Sequence, residues 1–191
     1  MNKLNGDISL AAIVLAAGEG SRFGKPKWQG EFQGKTFLET IQEKLILSGF
    51  SDIICVKQKS FDIKIENLLY VDNPTPELGM ISSLYYALKS YPEFKGYLIL
   101  PVDHPMVDVH TIKKLKSAFN PEKCQIVRPV FNSFPGHPIV IKGKLFSILK
   151  TPCYSGGLRQ LIKDSGFKVL DVKVNDPNIL KNVNYSSDLD K

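Results

Sequence analysis

Continuous apolar runs alternate with amphipathic segments along the whole chain, with no internal repeat. The apolar runs, rich in β-branched residues, predict strands at residues 8–16, 52–57, 67–71, 97–102, 125–130, 138–142 and 167–174. Helical spacing predicts helices at residues 36–49, 80–90, 108–119, 144–149 and 158–163. Because strands and helices alternate, the predicted fold class is α/β, a three-layer α/β/α sandwich with a mainly parallel sheet.

Local sequence signals support two of the predicted helix starts, and the predicted strand ends indicate the candidate site. Thr36 and Glu39 have the spacing of a capping box, Gly49 is a stop signal, and Asp108 can cap the third helix. In α/β sheets ligands bind beyond the carboxyl ends of the strands. The residues that follow each predicted strand are therefore the candidate site.

The composition is that of a folded protein with anionic partners. The chain has 191 residues, 43% of them hydrophobic and 23% charged, which predicts a single domain over residues 1–191 and excludes a disordered or fibrous chain. The formal net charge of +6 suits nucleic acid, acidic membranes or nucleotides. Nucleic acid is disfavoured because the lysines are spread and no aromatic stacking stripe accompanies them.

Cysteine usage and hydropathy predict a cytoplasmic protein that does not enter a membrane. Cys55, Cys124 and Cys153 are far apart and form no metal-binding or disulfide pattern, so we read them as small apolar residues. No apolar run approaches the roughly 18 residues of a membrane span, and residues 1–6 lack the order of a signal peptide.

A glycine-rich loop follows the first predicted strand. It contains three glycines and two cations, in the order Leu15, Ala16, Ala17, Gly18, Gly20, Ser21, Arg22, Gly24 and Lys27. The glycine spacing differs from both the P-loop and the dinucleotide-binding fingerprint. Glycines allow backbone N–H groups to surround an anion, and Arg22 and Lys27 add positive charge, so the loop predicts polyphosphate binding.

This loop, L-A-A-G-x-G-x-R-x-G-x-x-K, resembles the signature of nucleotidyltransferases with a Rossmann-like, GT-A-type fold. The resemblance implies that the loop wraps an NTP and that Arg22 and Lys27 act in catalysis by contacting its phosphates. The segment containing Asn73, Gly79, Met80 and Ser83 is similar to the N-x-x-x-x-x-G-M-x-S-S element of MobA-like NTP transferases. That similarity implies contacts with the base and ribose, although a serine there could simply cap a helix.

Asp103 follows the fourth predicted strand and is the expected catalytic metal ligand. A carboxylate opposite a phosphate-binding loop is suited to Mg²⁺, and the D-x-P element resembles the metal-binding aspartate of the family. His104 could orient Asp103, contact substrate or simply be exposed. His110 has only helix context and receives no role.

The R-P…G-H-P hairpin resembles the molybdenum cofactor cytidylyltransferase branch of the MobA-like family. In that branch the hairpin borders the acceptor, so Arg128, His137 and His104 are candidate acceptor-binding residues. Residues 155–159, which end in Arg159, partly resemble a G-D-x-G-A-R element of the family but lack its acidic residue, and helix capping by Ser155 is the alternative explanation.

The C-terminal segment departs from its relatives, which often carry D-x-D where this chain has Asn182 and Asn184. One of these asparagines is expected to complete the metal site with Asp103, because an amide oxygen can bind Mg²⁺ without adding charge. The two asparagines also leave open the alternatives that the protein binds metal weakly or has lost catalytic activity.

Together these resemblances imply a Mg²⁺-dependent nucleotidyltransferase that transfers CMP from CTP to molybdopterin. Alanine at position 17 favours CTP, because guanine-using relatives often have glycine there. Three alternatives stay open: a sugar- or alditol-phosphate nucleotidyltransferase, a GTP-using molybdopterin guanylyltransferase, and a non-catalytic nucleotide- or cofactor-binding relative. A molybdoenzyme is a further candidate partner, and the protein is expected to be a monomer or weak homo-oligomer.

Overall fold

The computed structural model describes residues 9–20, 24–144, 148–185 and 188. Within them one mixed sheet contains eight strands, and its order along the main path is β10-β7-β9-β6-β1-β4-β5, with β8 paired to β7. The strands are β1 Leu10–Leu15, β4 Ile53–Lys57, β5 Leu69–Asp72, β6 Gly96–Pro101, β7 Ile126–Phe131, β8 Phe134–Pro135, β9 Ile139–Lys142 and β10 Val169–Lys173. Two short strands, β2 Glu31–Phe32 and β3 Lys35–Thr36, form a separate ribbon.

Four helices cover the two faces of the sheet and make the three layers that the sequence predicts. Their bounds are α1 Phe37–Leu47, α2 Met80–Ser90, α3 Val109–Ala118 and α4 Gly157–Asp164. Alternate strand residues supply the two cores: one packs against α1 and α3, and the other against α2 and α4. No helix in the described ranges is long and apolar enough to span a bilayer.

The centre of the sheet is parallel and its distal part is mixed. β1 pairs in parallel with β4 and β6, whereas β9 runs antiparallel to β6 and β7. The strands predicted at residues 125–130 and 138–142 pair as β7 and β9, and their connection contains β8 and Gly136. The chain turns at Asn132 and Ser133, both at positive φ, and Gly136 then packs against the backbone of Ile179.

The capping predictions for α1 and α3 are confirmed. Thr36 and Glu39 form a reciprocal capping box, and the Asp108 carboxylate accepts a hydrogen bond from the amide of His110. Capping by Ser155, Ser82 or Ser83 is wrong, because Gly156 and Gly79 occupy the cap positions without a side-chain cap.

The segment after β9 and the three cysteines were also the subject of sequence predictions. Of the helix predicted at residues 144–149, Lys144 has 3-10 helical geometry and Ile148 lies in a bend, while residues 145–147 lie outside the described ranges. All three cysteines are free; Cys55 and Cys124 are buried and Cys153 is exposed. Burial raises the pKa of the Cys55 thiol to about 12, which fits its reading as an apolar core residue.

Candidate active site at the carboxyl edge

The loop after β1 folds back on itself at Gly20. This residue has φ +64°, and a Cβ there would lie 2.2 Å from the carbonyl oxygen of Lys25 and 3.0 Å from the amide nitrogen of Lys27. Only glycine permits both the left-handed backbone and this close approach. The contact carries the chain around the loop and returns Lys27 to the carboxyl end of β1, while Ser21 and Arg22 lie outside the described residues.

Lys27 joins two of the predicted site residues from distant parts of the chain. Its ammonium donates hydrogen bonds to Oδ2 of Asp103, at 2.6 Å, and to Oδ1 of Asn184, at 2.8 Å. The side chains of Lys27 and Asp103 are 21% and 16% exposed, so their ion pair is partly shielded from solvent. Charge-assisted hydrogen bonds of this length are strong and directional.

The C-terminal segment is tied to Asp103 through its backbone. The amide of Val183 donates to the carbonyl of Asp103 at 2.7 Å, and this bond brings Asn184 beside Lys27. Asn182 is exposed, so it is Asn184 rather than Asn182 that the structure brings to Asp103. Asp188, which the site prediction omitted, accepts hydrogen bonds from the amides of Asn184 and Tyr185 and folds the segment into its turn.

The start of α2 forms the wall opposite the loop. Asn73 is 1% exposed, and its amide nitrogen donates to the hydroxyls of Ser82 and Ser83 at 2.8 and 2.9 Å. Its carbonyl oxygen accepts from the amide of Thr75 at 2.9 Å. Asn73 therefore holds the first turn of α2, which carries the predicted base and ribose site, and Gly79 is the N-cap residue of that helix.

These elements enclose a cavity of about 200 Å³. Among its lining residues are eight of the predicted ones, from the loop, from α2 and from the end of β6: Leu15, Ala17, Gly18, Lys27, Gly79, Met80, Ser83 and Asp103. Ala16 is fully buried beneath them. Gln58, which follows β4, was missed by the site prediction; its side-chain amide donates to the carbonyl of Ala17 at 2.8 Å and holds the loop.

His104 and His137 lie together beside Asp103. Their ring centroids are 5.2 Å apart, Nε2 of His104 is 3.8 Å from Oδ1 of Asp103, and both Nδ1 atoms are buried without a hydrogen-bond partner. His104 is only 7% exposed, so the reading of it as an exposed residue is wrong.

Both histidines are shifted towards their neutral forms. Burial, opposed by the Asp103 carboxylate, lowers the pKa of His104. Burial together with the neighbouring His104 lowers the pKa of His137 to about 4. Near pH 7 this pair therefore carries no positive charge.

Arg128 lies apart from this histidine pair. It is in the middle of β7 and forms a two-point ion pair with Asp171 on β10, at 2.6 and 3.3 Å. Together with Arg159 it lines a different cavity, of about 470 Å³. The structure therefore brings His104 and His137 together but places Arg128 with Arg159.

A larger cavity, of about 650 Å³, lies at the opposite, amino-terminal end of β6, between Tyr85, Phe94 and Lys142. None of the predicted site residues lines it. The smaller cavity is the candidate active site, because the glycine loop, the start of a helix and the Lys27–Asp103 pair converge there.

Comparison with known proteins agrees with this fold. Residues 12–169 match the MobA-like NTP transferase domain family. Rv0371c from Mycobacterium tuberculosis H37Rv is 21% identical over 96% of both chains, with a TM-score of 0.81. A structure of that protein in complex with manganese has a TM-score of 0.70, with 19% identity over 87% of this chain and 88% of that one.

Two further structures share the fold. The 4-diphosphocytidyl-2C-methyl-D-erythritol synthase of Anaerococcus prevotii DSM 20548 has a TM-score of 0.72 and 18% identity over 96% of both chains. Molybdopterin-guanine dinucleotide biosynthesis protein A of Archaeoglobus fulgidus has a TM-score of 0.68 and 19% identity, over 94% of this chain and 95% of that one.

The mixed sheet with a parallel centre, and a glycine loop that returns a lysine to a strand-end aspartate, define a nucleotide-handling α/β domain. The family match covers most of the chain and is more specific. The chain belongs to the MobA-like NTP transferase domain family and is a nucleotidyltransferase.

Proposed function

We propose that this chain transfers CMP from CTP to the terminal phosphate of molybdopterin, releasing pyrophosphate. The observation that carries the proposal is the convergence of Lys27, Asp103 and Asn184 beside the glycine loop and the start of α2. A nucleotide in this cavity has its phosphates against the loop and Lys27, and its base and ribose towards Gly79, Met80 and Ser83.

The donor set at this point fits a divalent cation. One carboxylate oxygen and one amide oxygen already converge on a single positive charge, the Lys27 ammonium. Oxygen ligands of this kind suit Mg²⁺, which usually completes its coordination with water and substrate phosphates. Within the described ranges no cluster of three His, Cys, Asp or Glu side chains forms, so Asp103 and Asn184 would hold the metal together with phosphate oxygens.

Transfer requires one bond to form and one to break. An oxygen of the acceptor's terminal phosphate attacks the α-phosphorus of CTP in line, and the bond to the bridging oxygen of the leaving pyrophosphate breaks. When bound, Mg²⁺ supplies charge neutralisation at the phosphates. Lys27 and Arg22 stabilise the charge on the α-phosphate and pyrophosphate, so positioning and electrostatics supply most of the rate.

The acceptor is assigned to the side of the site formed by the histidines. Their two rings lie beside Asp103, and their neutral state removes them as counter-charges for the phosphate of the acceptor. Arg128 is the cation assigned to the acceptor. To contact it, either the ion pair of Arg128 with Asp171 opens, or Arg128 contacts a part of the acceptor that is distant from the reacting phosphate. The selection of CTP rests on Ala17, which is buried in the cavity wall.

The proposal is tested by pyrophosphate release from each of the four NTPs with molybdopterin and Mg²⁺, and by mass spectrometry of the dinucleotide product. We expect release that depends on CTP, and a fall of at least about 100-fold in Asp103→Asn, because the main metal ligand is lost. Asp62→Asn is the matched control, since that aspartate pairs with Lys64 at an exposed position.

Each alternative has its own outcome in this assay. Preference for GTP contradicts the choice of CTP, and turnover with sugar or alditol phosphates but not molybdopterin contradicts the acceptor. Binding of NTP without turnover under any condition identifies the non-catalytic relative that the asparagines at 182 and 184 leave open.

A further inference from the structure

We propose that the Lys27 ammonium occupies the cation position in the ligand-free protein, and that a divalent metal enters only after a nucleotide polyphosphate has drawn Lys27 away. This inference rests on the proposed function, which assigns the metal to Asp103 and Asn184. It gives Lys27 a second role besides phosphate contact, which is to keep metal out of the empty site and so impose an order of binding.

The geometry carries the first step. Lys27 donates to Oδ2 of Asp103 at 2.6 Å and to Oδ1 of Asn184 at 2.8 Å, which are the side chains that the metal would use. A metal bound to the same two oxygens would lie at contact distance from the ammonium, and the two cations would repel each other. Metal binding at these oxygens is therefore favourable only when Lys27 moves away.

The charges carry the second step. Lys27 and Asp103 compensate each other and Asn184 is neutral, so a divalent ion approaching this point finds no uncompensated negative charge and is repelled by the ammonium. The two ionic side chains are largely buried, and solvent screens the repulsion only in part. Within the described residues no group of three His, Cys, Asp or Glu side chains that could hold a metal forms to offset it.

A bound polyphosphate changes both the position of Lys27 and the charge around the metal site. It offers Lys27 several anionic oxygens beside its present position, and the long lysine stem can swing to them while the backbone stays. The same polyphosphate supplies the oxygen ligands that the protein lacks. By linkage, nucleotide then raises the metal affinity and metal raises the nucleotide affinity by an equal factor.

The test is a titration of nucleotide-free protein with Mn²⁺, in which bound metal is measured by water-proton relaxation enhancement. The variant is Lys27→Met, which keeps the length of the side chain and removes its charge. We expect Mn²⁺ to bind at least about tenfold more tightly to Lys27→Met than to the wild type, since a unit charge at contact distance is removed. Lys25→Met is the matched control from the same loop, because Lys25 pairs only with exposed Glu31 in the described structure, and it is expected to bind Mn²⁺ as the wild type does.

Unchanged or weaker Mn²⁺ binding by Lys27→Met overturns the inference. Circular dichroism and thermal denaturation establish that the variant is folded, and if Lys27→Met is not folded, Lys27→Gln is measured with the same expectation. Lys27→Arg retains the charge and is expected to bind Mn²⁺ as weakly as the wild type does.

A double variant separates failure of this inference from failure of the proposed function. If Asp103→Asn abolishes the tighter Mn²⁺ binding of Lys27→Met, the metal is at Asp103 and Lys27 excludes it. If the tighter binding survives in the double variant, the metal lies elsewhere and the proposed metal site is wrong. If Lys27→Met is not tighter while Asp103→Asn still abolishes Mn²⁺ binding in the presence of nucleotide, only the inference about Lys27 is wrong.

Discussion

Two glycines of the loop after β1 form a matched test of how the loop places Lys27. Gly20 and Gly24 have φ angles of +64° and +76°, so alanine at either position bears the same left-handed strain. That strain costs about 1 kcal/mol of folding free energy. They differ in their surroundings: a Cβ at Gly24 has nothing within 4 Å, whereas one at Gly20 lies 2.2 Å from the carbonyl oxygen of Lys25.

Ordinary van der Waals contact begins at 3.4 Å, so Gly20→Ala must push the Lys25–Lys27 backbone outward by more than about 1 Å. Lys27 reaches Asp103 and Asn184 at 2.6 and 2.8 Å, and a displacement of that size breaks both hydrogen bonds unless its stem compensates. A misplacement of about 1 Å at a catalytic group can cost about 100-fold in rate. We expect kcat/KM for CMP transfer to fall about 100-fold in Gly20→Ala and less than about threefold in Gly24→Ala.

Stability and nucleotide affinity complete the comparison. Urea denaturation is expected to show a similar loss of about 1 kcal/mol in both variants from backbone strain, with any larger loss in Gly20→Ala coming from the overlap. Affinity for a fluorescent CTP analogue is expected to fall in Gly20→Ala only. Equal effects of the two variants on rate and affinity would show that loop strain, and not the placement of Lys27, controls the site.

Three further predictions concern the side chains around the site. As the pH falls from 6.5 to 4, the free energy of unfolding measured with urea should fall by up to about 3 kcal/mol. The reason is that burial and the neighbouring His104 lower the pKa of His137 to about 4, so the unfolded chain binds the proton at a higher pH than the folded chain does. An equally large loss in His137→Gln contradicts this. Asn73→Ala should lower the free energy of unfolding by about 2–3 kcal/mol and weaken CTP binding, because it leaves two buried serine hydroxyls without their donor; a wild-type melting temperature would refute it. Arg128→Met breaks a half-exposed pair with Asp171 and should change stability by less than about 1 kcal/mol while raising the KM for the acceptor but not for CTP; an unchanged acceptor KM removes Arg128 from the acceptor site.

Local signals explain why so much of the fold was predictable. The Thr36–Glu39 capping box and the Asp108 cap are set by residues three or fewer positions apart, and both form as predicted. Buried strands at the sheet centre are apolar on both faces, which makes them visible as continuous runs.

Most residues of the candidate site could be predicted from the sequence, but the contacts between their side chains could not. The glycine loop, Gly79 and Asp103 each follow a strand, and the rule that ligands bind at carboxyl strand ends places them on one edge. Gln58 follows β4 by the same rule but has no motif, and Asp188 acts through a turn, so neither was found. The resemblance of the hairpin groups Arg128 with the histidines, whereas mid-strand residues contact their sheet neighbours, in this case Asp171 on β10.

By itself the sequence determined the alternation of strands and helices, the capped helix starts and a glycine loop with a lysine behind it. These features depend on side chains that are close along the chain or on simple periodicity. Tertiary structure alone decided that Lys27 meets Asp103, 76 positions away, and Asn184, 157 positions away. It also decided that Asn184 rather than Asn182 is the partner, because the order of the strands and the Val183–Asp103 hydrogen bond choose which side chain faces the lysine.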